Sequence, residues 1–411
     1  MLSKILQKVN YRCFFPSKKF LNVAVVLVMA CAFAGTGVIA EGTGSEKSCY
    51  VDTHMHLNGL YREKGRQSAK GVRGGRLGRG QGGPVVMQGE RSQAHKEQSA
   101  GRFVKDYETA ADNLIAEMNR LGVAKALIMP PPQIPGQTNA PDYQDLLPAV
   151  KKYPRRLILI AGGDVLNRLI HGTKASEVTP ELKAQFKNEA EKLIGAGAKG
   201  FGEMAALHFS FEPRHVFEET SPAHPLFFLL ADIAAEFNLA IDLHMEAVPQ
   251  DMDLPAGFER VSDKNPRRLK ENILALERLL DHNKNARIVW QHIGWDNTGY
   301  MTIELLERLL KAHPNLYLGF KVIEGKFSVS GAPMPNRPVD RKGRIRPEWV
   351  KFISDFPDRF VIGGDEFVGI PGLTAQMPLS FKETWAFLEQ LPPYLARKVG
   401  CDNAARVYNL N

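Results

Sequence analysis

The stretch Tyr-Val-Asp-Thr-His-Met-His at residues 50–56 is typical of a short, buried β-strand that ends in two histidines. Side chains two positions apart on a strand point to the same side, so His54 and His56 face that side together. Two imidazoles placed in this way can bind one zinc-like ion. A His-x-His pair is a weak signal when it stands alone, so its meaning depends on the rest of the chain.

Three later strand-like stretches also end in a residue that can bind a metal. They are Ala-Ile-Asp-Leu-His at 240–244, Ile-Val-Trp-Gln-His at 288–292 and Phe-Val-Ile-Gly-Gly-Asp at 360–365, and they end in His244, His292 and Asp365. A single buried histidine is more often a hydrogen-bonded core residue. Four histidines and one aspartate at strand ends instead predict one metal centre, because the strand ends of a barrel converge on one face.

Glu203 lies near the end of a further strand-like stretch, Gly-Phe-Gly-Glu at residues 200–203. A carboxylate there is a candidate ligand and can also bridge two metals; the alternative is a buried acid paired with a neighbouring base. We therefore expect one or two divalent ions. Mixed histidine and carboxylate ligands suit zinc best, with manganese, iron or cobalt as further candidates.

Strand-like and helical patterns alternate from residue 103 onward. The helical patterns cover 106–121, 184–194, 226–237, 272–280, 303–311, 347–354 and about 381–408, and the strand-like stretches cover 124–129, 157–161, 198–204, 239–244, 287–292, 316–322 and 360–364. With the first stretch this makes eight strands, in an order that predicts parallel strands joined by crossovers. We expect an α/β fold, a (β/α)8 TIM barrel within residues 49–411.

A glycine- and arginine-rich insert interrupts this pattern at residues 62–102. It offers little apolar surface, which predicts a flexible surface loop; the alternatives are a lid or a patch for anionic polymers. The formal net charge of +8 is concentrated in this insert and in the N-terminal segment. Without residues 1–40 and 61–102 the chain has 38 basic and 42 acidic side chains, so we expect no nucleic-acid partner.

Residues 1–40 are typical of a signal peptide, because five basic side chains precede or flank an apolar run from Leu21 to Ala40. We expect cleavage after Ala40, a periplasmic or secreted mature chain, and no stable membrane partner. Two alternatives keep the protein at a membrane. One is an uncleaved anchor, since about 20 mostly apolar residues can span a bilayer. The other is lipidation at Cys31.

The mature chain would retain Cys49 and Cys401 as its cysteines. The sequence contains no Cys-x-x-Cys motif, which excludes a thiolate zinc knot and a thioredoxin-like site. Cys49 precedes the first strand and Cys401 follows the last main helical stretch, so both should lie at the N-terminal face of the barrel. The two sulfurs could meet in a disulfide, and the alternative is two separate buried thiols.

The order of the candidate ligands resembles that of the amidohydrolase-related family of metal-dependent barrel hydrolases. The closing segment Gly-Cys-Asp-Asn-Ala-Ala-Arg-Val-Tyr at residues 400–408 is similar to that family's terminal Asn-Ala helix. The resemblance covers about residues 49–411. The long insert after the first strand departs from the family pattern and affects the expected shape of the pocket mouth.

This resemblance implies a role for each candidate residue. His54, His56 and Asp365 would bind metal, and Asp365 would also be the catalytic proton acceptor. His244 would be a further ligand. His292 would bind a second metal or contact the substrate, and we count it with Asp365 as a catalytic candidate.

Glu203 resembles the fourth-strand glutamate of the family's deoxyribonuclease-like branch. The implied activity is hydrolysis of an amide, lactone or ester in a small-molecule substrate, by a water that a divalent ion activates. A carboxylate such as Asp365 beside that water can take its proton and pass it to a leaving group. Non-oxidative decarboxylation of an aromatic acid is the first alternative, and a non-catalytic binding protein on the same barrel is the second.

Overall fold

The computed structural model describes residues 49–62, 103–138, 140–323, 334–375 and 377–410. The predicted signal peptide at residues 1–40 and residues 63–102 of the predicted insert lie outside these ranges. Within the described ranges, the chain forms no helix with the length and apolar character needed to cross a membrane.

Eight parallel strands form a ring in the described part of the chain. They are β1 (Tyr50–Asn58), β2 (Val123–Ile128), β3 (Leu157–Leu159, continued by Ala161–Gly162), β4 (Gly200–His208), β5 (Ala240–Met245), β6 (Arg287–Ile293), β7 (Leu316–Phe320) and β8 (Phe360–Ile362). Each strand pairs in parallel with the next one along the chain. β8 pairs with β1, where Ile362 lies opposite Asp52.

Strand β3 closes the ring because its two halves pair with different neighbours. Leu157–Leu159 pairs with β2, and Ala161–Gly162 pairs with β4. A single residue, Ile160, separates the two halves, so they continue one another as one strand. The ring confirms the predicted (β/α)8 TIM barrel, and the C-terminal ends of all eight strands lie at one face.

The described helices lie between these strands and after β8. They are α1 (Tyr107–Leu121), α2 (Tyr143–Lys152), α3 (Leu166–His171), α4 (Pro180–Gly195), α5 (Pro225–Glu236), α6 (Phe258–Val261), α7 (Ile273–His282), α8 (Ile303–Ala312), α9 (Pro347–Asp355), α10 (Phe381–Glu389), α11 (Pro393–Arg397) and α12 (Asn403–Tyr408). A 3-10 turn spans Ala175–Glu177, and a π-helical turn spans Lys398–Asp402.

Helix α1 shows how local sequence sets these boundaries. The Asp106 side chain accepts a hydrogen bond from the Thr109 backbone N–H at 3.0 Å and so caps the start of the helix. Gly122 ends the helix with a φ of 74°, a left-handed conformation that glycine adopts without a steric penalty. Between these ends, Leu114 and Met118 lie four positions apart on one face and are buried in the core.

Short strands lie outside the ring, either as separate two-stranded sheets or paired with the end of a ring strand. They pair as Leu60–Arg62 with Phe103–Lys105, Met252–Asp253 with Arg268–Leu269, Glu218–Glu219 with the end of β4, and Glu366–Gly369 with the end of β1. The first of these pairs lies at the base of the insert. Residues 63–102 therefore leave and re-enter the described fold at neighbouring positions.

The helical region predicted at 381–408 is present in the structure, where it is divided into three α-helices and a π-helical turn. α10 ends before Pro392, and α11 begins at Pro393. The two prolines explain the break, because proline removes a backbone donor and disfavours helical conformation in the residue before it. The sequence patterns also did not include α2, which contains Pro148.

The C-terminal segment closes the N-terminal end of the barrel. Its buried side chains pack in one cluster with residues on the inner face of the strands; the cluster includes Val51, Leu127, Ala240, Val289, Val361, Ala404, Val407 and Tyr408. Cys49 and Cys401 form a disulfide with a Cα–Cα distance of 5.6 Å. Of the two alternatives for these cysteines, the structure contains the bond, which ties the turn before α12 to the start of β1.

Candidate metal centre

The six side chains predicted as metal ligands meet at the C-terminal end of the barrel. They come from β1 (His54 and His56), β4 (Glu203), β5 (His244), β6 (His292) and the loop after β8 (Asp365). All are buried except Asp365, whose side chain is 19% exposed. The expected convergence of the set is therefore present in the structure.

His54, His56 and two carboxylates form the inner part of the cluster. The Nε2 atoms of the two histidines lie 3.2 Å apart. Oε2 of Glu203 lies 3.5 and 3.4 Å from these two nitrogens. Oδ1 of Asp365 lies 3.9 and 3.5 Å from the same nitrogens. Four candidate ligand atoms therefore face one another.

The second oxygen of Glu203 faces another pair of histidines. Oε1 lies 2.8 Å from Nδ1 of His244 and 3.4 Å from Nε2 of His292. These three residues form a second group whose ligand atoms lie within 4.8 Å of one another. Glu203 thus belongs to both groups, one on each carboxylate oxygen.

Hydrogen bonds on the far side of the rings decide which nitrogen faces the cluster. Nδ1 of His56 lies 3.0 Å from the Met129 carbonyl oxygen, which can only accept, so Nδ1 carries the hydrogen and Nε2 has a lone pair. Nδ1 of His54 lies 2.9 Å from the Asp242 carboxylate and is oriented in the same way. Two lone pairs therefore face two carboxylates in a buried space. Such a set needs positive charge among its members, which protons on the imidazoles or a bound cation can supply, so these residues fit a divalent metal ion.

The carboxylates of the cluster are held in their ionised form. Burial raises the pKa of Glu203, but the positive charge of His54 when its ring is protonated, with hydrogen bonds from the neighbouring histidines, outweighs burial and brings that pKa well below its usual range. Burial also raises the pKa of Asp365. The Lys321 ammonium more than offsets this effect, together with the nearby imidazoles, and this pKa too lies well below its usual range. Both side chains are therefore anionic acceptors at neutral pH.

Two residues of the cluster have strained backbones. The φ angles of His292 and Asp365 are 66° and 53°, in the left-handed region that residues other than glycine rarely adopt. Such conformations cost about 1–3 kcal/mol each and are concentrated at functional sites. Backbone hydrogen bonds hold both residues. The Asp365 N–H donates to the His54 carbonyl at 2.9 Å, and the His292 carbonyl accepts from the Trp295 N–H at 2.8 Å.

The match to one known protein family covers almost all of the described chain. Residues 51–410 match the amidohydrolase family. The chain belongs to this family. The match confirms the resemblance drawn from the order of the candidate ligands. No curated protein matches this amidohydrolase.

Several solved structures are similar to this amidohydrolase. One is a probable 2-pyrone-4,6-dicarboxylic acid hydrolase from Acinetobacter baumannii with citric acid bound, with 14% identity, coverage of 88% of this chain and 99% of that chain, and a TM-score of 0.45. Another is an amidohydrolase 2 from Bifidobacterium longum subsp. infantis, with 14% identity, coverage of 88% and 99%, and a TM-score of 0.39. A third is an organophosphorus hydrolase from Deinococcus radiodurans, with 12% identity, coverage of 89% and 93%, and a TM-score of 0.44. The hydrolase activities in these descriptions belong to the three matched proteins.

The amidohydrolase cluster opens into a cavity of about 700 Å³. Glu203, His244, His292 and Asp365 contribute to its lining. Many of the other lining residues are apolar or aromatic, and they include Pro131, Pro132, Phe211, Trp295, Phe367 and Met377. A cavity of this size and character suits a small organic molecule.

Two charged side chains beside the cluster were not predicted from the sequence. Lys321, directly after β7, is buried and forms an ion pair with Asp365, and its Nζ lies 4.7 Å from the centre of the Trp295 ring. Asp242 lies two positions before His244 on β5 and so faces the same interior. The two-residue spacing was an available signal for Asp242. The signal for Lys321 was its place at the end of a strand.

Proposed function

We propose that this amidohydrolase is a metal-dependent hydrolase that uses an activated water on an amide, lactone or ester. The observation that carries the proposal is the convergence of imidazole lone pairs and anionic carboxylates beside a cavity. On the cluster side, the neutral rings of His54 and His56 and the two carboxylates present acceptors, so the set favours a cation over a neutral ligand. The apolar cavity walls suit the organic part of a small-molecule substrate.

His54, His56, Glu203 and Asp365 would hold one divalent ion, and zinc suits this mixed nitrogen and oxygen set best. A second ion has candidate ligands in the group that shares Glu203 with the other two histidines. A bound divalent ion supplies two effects: it lowers the pKa of a coordinated water, and it polarises the oxygen under attack.

Asp365 is the proposed proton acceptor. Its Oδ2 pairs with Lys321, whereas its Oδ1 faces the two β1 histidines. One oxygen is therefore available on the cluster side, where it can take a proton from the attacking water and pass it to the leaving group. His292 is the second proposed catalytic residue. It lines the cavity, and its Nδ1 has no hydrogen-bond partner within the described residues.

We also propose that the mature chain is periplasmic or secreted. The Cys49–Cys401 disulfide supports this location, because structural disulfides persist mainly in oxidising compartments. The sequence of residues 1–40, which lie outside the described ranges, supports it independently through its basic stretch and apolar run.

Two measurements on the purified protein test the proposal. Elemental analysis is expected to find one or two divalent ions per chain, and a chelator should abolish turnover that added zinc restores. The metal-loaded protein is then assayed on a panel of esters, lactones, amides and aromatic acids. We expect turnover of an ester, lactone or amide. Release of carbon dioxide from an aromatic acid would identify a decarboxylase, and metal binding without any turnover would favour a binding protein.

A further inference from the structure

The last helix of the chain reaches the candidate metal centre through the barrel interior. Tyr408, at the end of α12, is fully buried, and its hydroxyl donates a hydrogen bond to Oδ2 of Asp242 at 3.3 Å. The other oxygen of this carboxylate, Oδ1, lies 2.9 Å from Nδ1 of His54. A continuous path of hydrogen bonds therefore connects the C-terminal helix with a proposed metal ligand.

The orientation of the Asp242 carboxylate depends on a small number of donors. Besides Tyr408, the side-chain amide of Gln291 on β6 donates to Oδ2. Gly319 and Gly363 leave the space that the Gln291 side chain fills, since a Cβ atom at either position would collide with it. Asp242, Gln291 and Tyr408 are all fully buried, so bulk water cannot reach the Asp242 carboxylate to replace a lost hydrogen-bond donor.

Anchors outside the centre hold Tyr408 in place. Asn403, at the start of α12, donates to the Phe360 carbonyl at the beginning of β8 at 2.8 Å. The disulfide between Cys49 and Cys401 holds the preceding turn against the start of β1. A helix and a cross-linked turn, rather than a loop, thus place the Tyr408 side chain in the barrel interior.

We propose that Tyr408 is a positioning residue of the metal centre, which acts through Asp242 on His54. The inference rests on the proposed metal-dependent function, because it assigns the hydroxyl a part in holding a ligand. Asp242 accepts from Nδ1 of His54 and so directs the Nε2 lone pair into the cluster. Without the tyrosine hydroxyl, Oδ2 keeps Gln291 as its hydrogen-bond donor, the carboxylate can turn, and the imidazole that it orients is held less firmly. Outer partners of this kind contribute about 10- to 100-fold to metal affinity.

A pair of matched variants tests this role. Tyr408→Phe removes the hydroxyl and keeps the ring. Tyr317→Phe is the control, because Tyr317 belongs to the same buried cluster and its hydroxyl accepts from Arg406 at 3.3 Å. Zinc affinity of the metal-free mature protein is measured by competition with a chelating dye. We expect Tyr408→Phe to weaken zinc binding about tenfold and Tyr317→Phe to leave it unchanged, with circular dichroism checking that both variants are folded.

A second variant keeps the proposal testable if Tyr408→Phe does not fold. Asp242→Asn preserves the size of the side chain and removes its charge, and it should weaken zinc binding by about 10- to 100-fold. Unchanged affinity in either Tyr408→Phe or Asp242→Asn, or equal losses in both tyrosine variants, would overturn the positioning role and leave the hydrolase proposal standing. A tenfold loss in Tyr408→Phe, in a protein that hydrolyses no ester, lactone or amide, would support the positioning role and reject hydrolysis. Absence of zinc binding by the wild-type protein would overturn both.

Discussion

Among single residues, Asp365 is subject to three constraints at once. Its backbone is in the left-handed region, its Oδ2 pairs with Lys321, and its Oδ1 faces His54 and His56. The backbone conformation and the ion pair together place one carboxylate oxygen on the cluster side. That oxygen is where the proposed reaction needs a proton acceptor.

Asp365→Asn is expected to keep much of the bound metal and to lose most turnover. The amide oxygen can still bind a cation, but it cannot accept the proton of the attacking water, so kcat should fall by about 10²- to 10⁴-fold. His54→Ala should lose both metal and activity. Steady-state kinetics and elemental analysis of the same samples check both results. Asp253→Asn, at an aspartate whose side chain is 83% exposed, is the matched control. Full turnover by metal-free Asp365→Asn protein would refute the proposed role.

Among the secondary-structure elements, the long strand β4 has a buried carboxyl group beside it. β4 continues past the cluster to His208, and Glu218 lies opposite that residue on the short strand that pairs with it. Glu218 is 1% exposed and accepts a hydrogen bond from Asn167 at 3.0 Å. Burial, aided by the negative charge of Glu203, raises the pKa of Glu218 from 4.5 to about 7.

This shift predicts that Glu218 makes stability depend on pH. A carboxyl whose pKa is higher in the folded chain ionises more readily in the unfolded chain, so the free energy of unfolding falls as the pH rises from 4.5 to about 7. The loss approaches about 3 kcal/mol above that range. Glu218→Gln has no such proton to lose. Its stability relative to wild type should therefore rise between pH 5 and pH 8, as measured by urea denaturation.

Glu212→Gln is the control for this measurement, because the Glu212 side chain is 58% exposed. It should follow the wild-type pH dependence. A constant difference in unfolding free energy between Glu218→Gln and wild type across the same pH range would show that Glu218 has an ordinary pKa.

For the whole molecule, the main covalent constraint on the described chain is its disulfide. Cys49 and Cys401 are separated by 352 positions, so the bond closes almost the entire described chain into a loop. A link of this length restricts the unfolded chain far more than the folded barrel, in which the two residues are already neighbours.

Replacing both cysteines with serine should lower the free energy of unfolding by up to about 6 kcal/mol, the chain-entropy value for a loop of this size. Guanidinium denaturation under non-reducing conditions measures the difference. The same comparison in a strong reductant should bring the wild type close to the double variant. Two free thiols titrating in the unfolded, unreduced mature chain would contradict the bond.

The sequence predicted the parts of the fold that depend on neighbouring positions. The strand that contains His54 and His56 could be recognised because alternation along a strand is a local property. The division of the last helical region was missed, although Pro392 and Pro393 were visible, because the apolar pattern continues on both sides of them. Helix α2 was missed because Pro148 lies inside it and its buried residues are Leu146 and Ala149, too few to show a helical period.

The sequence by itself determined the barrel and the order of the candidate ligands, since apolar periodicity and the residue that ends a strand can be read from adjacent positions. Only the tertiary structure decided which partners hold those ligands. Tyr408 and Asp242 are 166 positions apart, and Lys321 and Asp365 are 44 positions apart. Their contacts arise because the closed ring brings side chains from different strands, and from the helix that fills its end, into one small interior. No local pattern encodes those distances, because they follow from the packing of the whole chain.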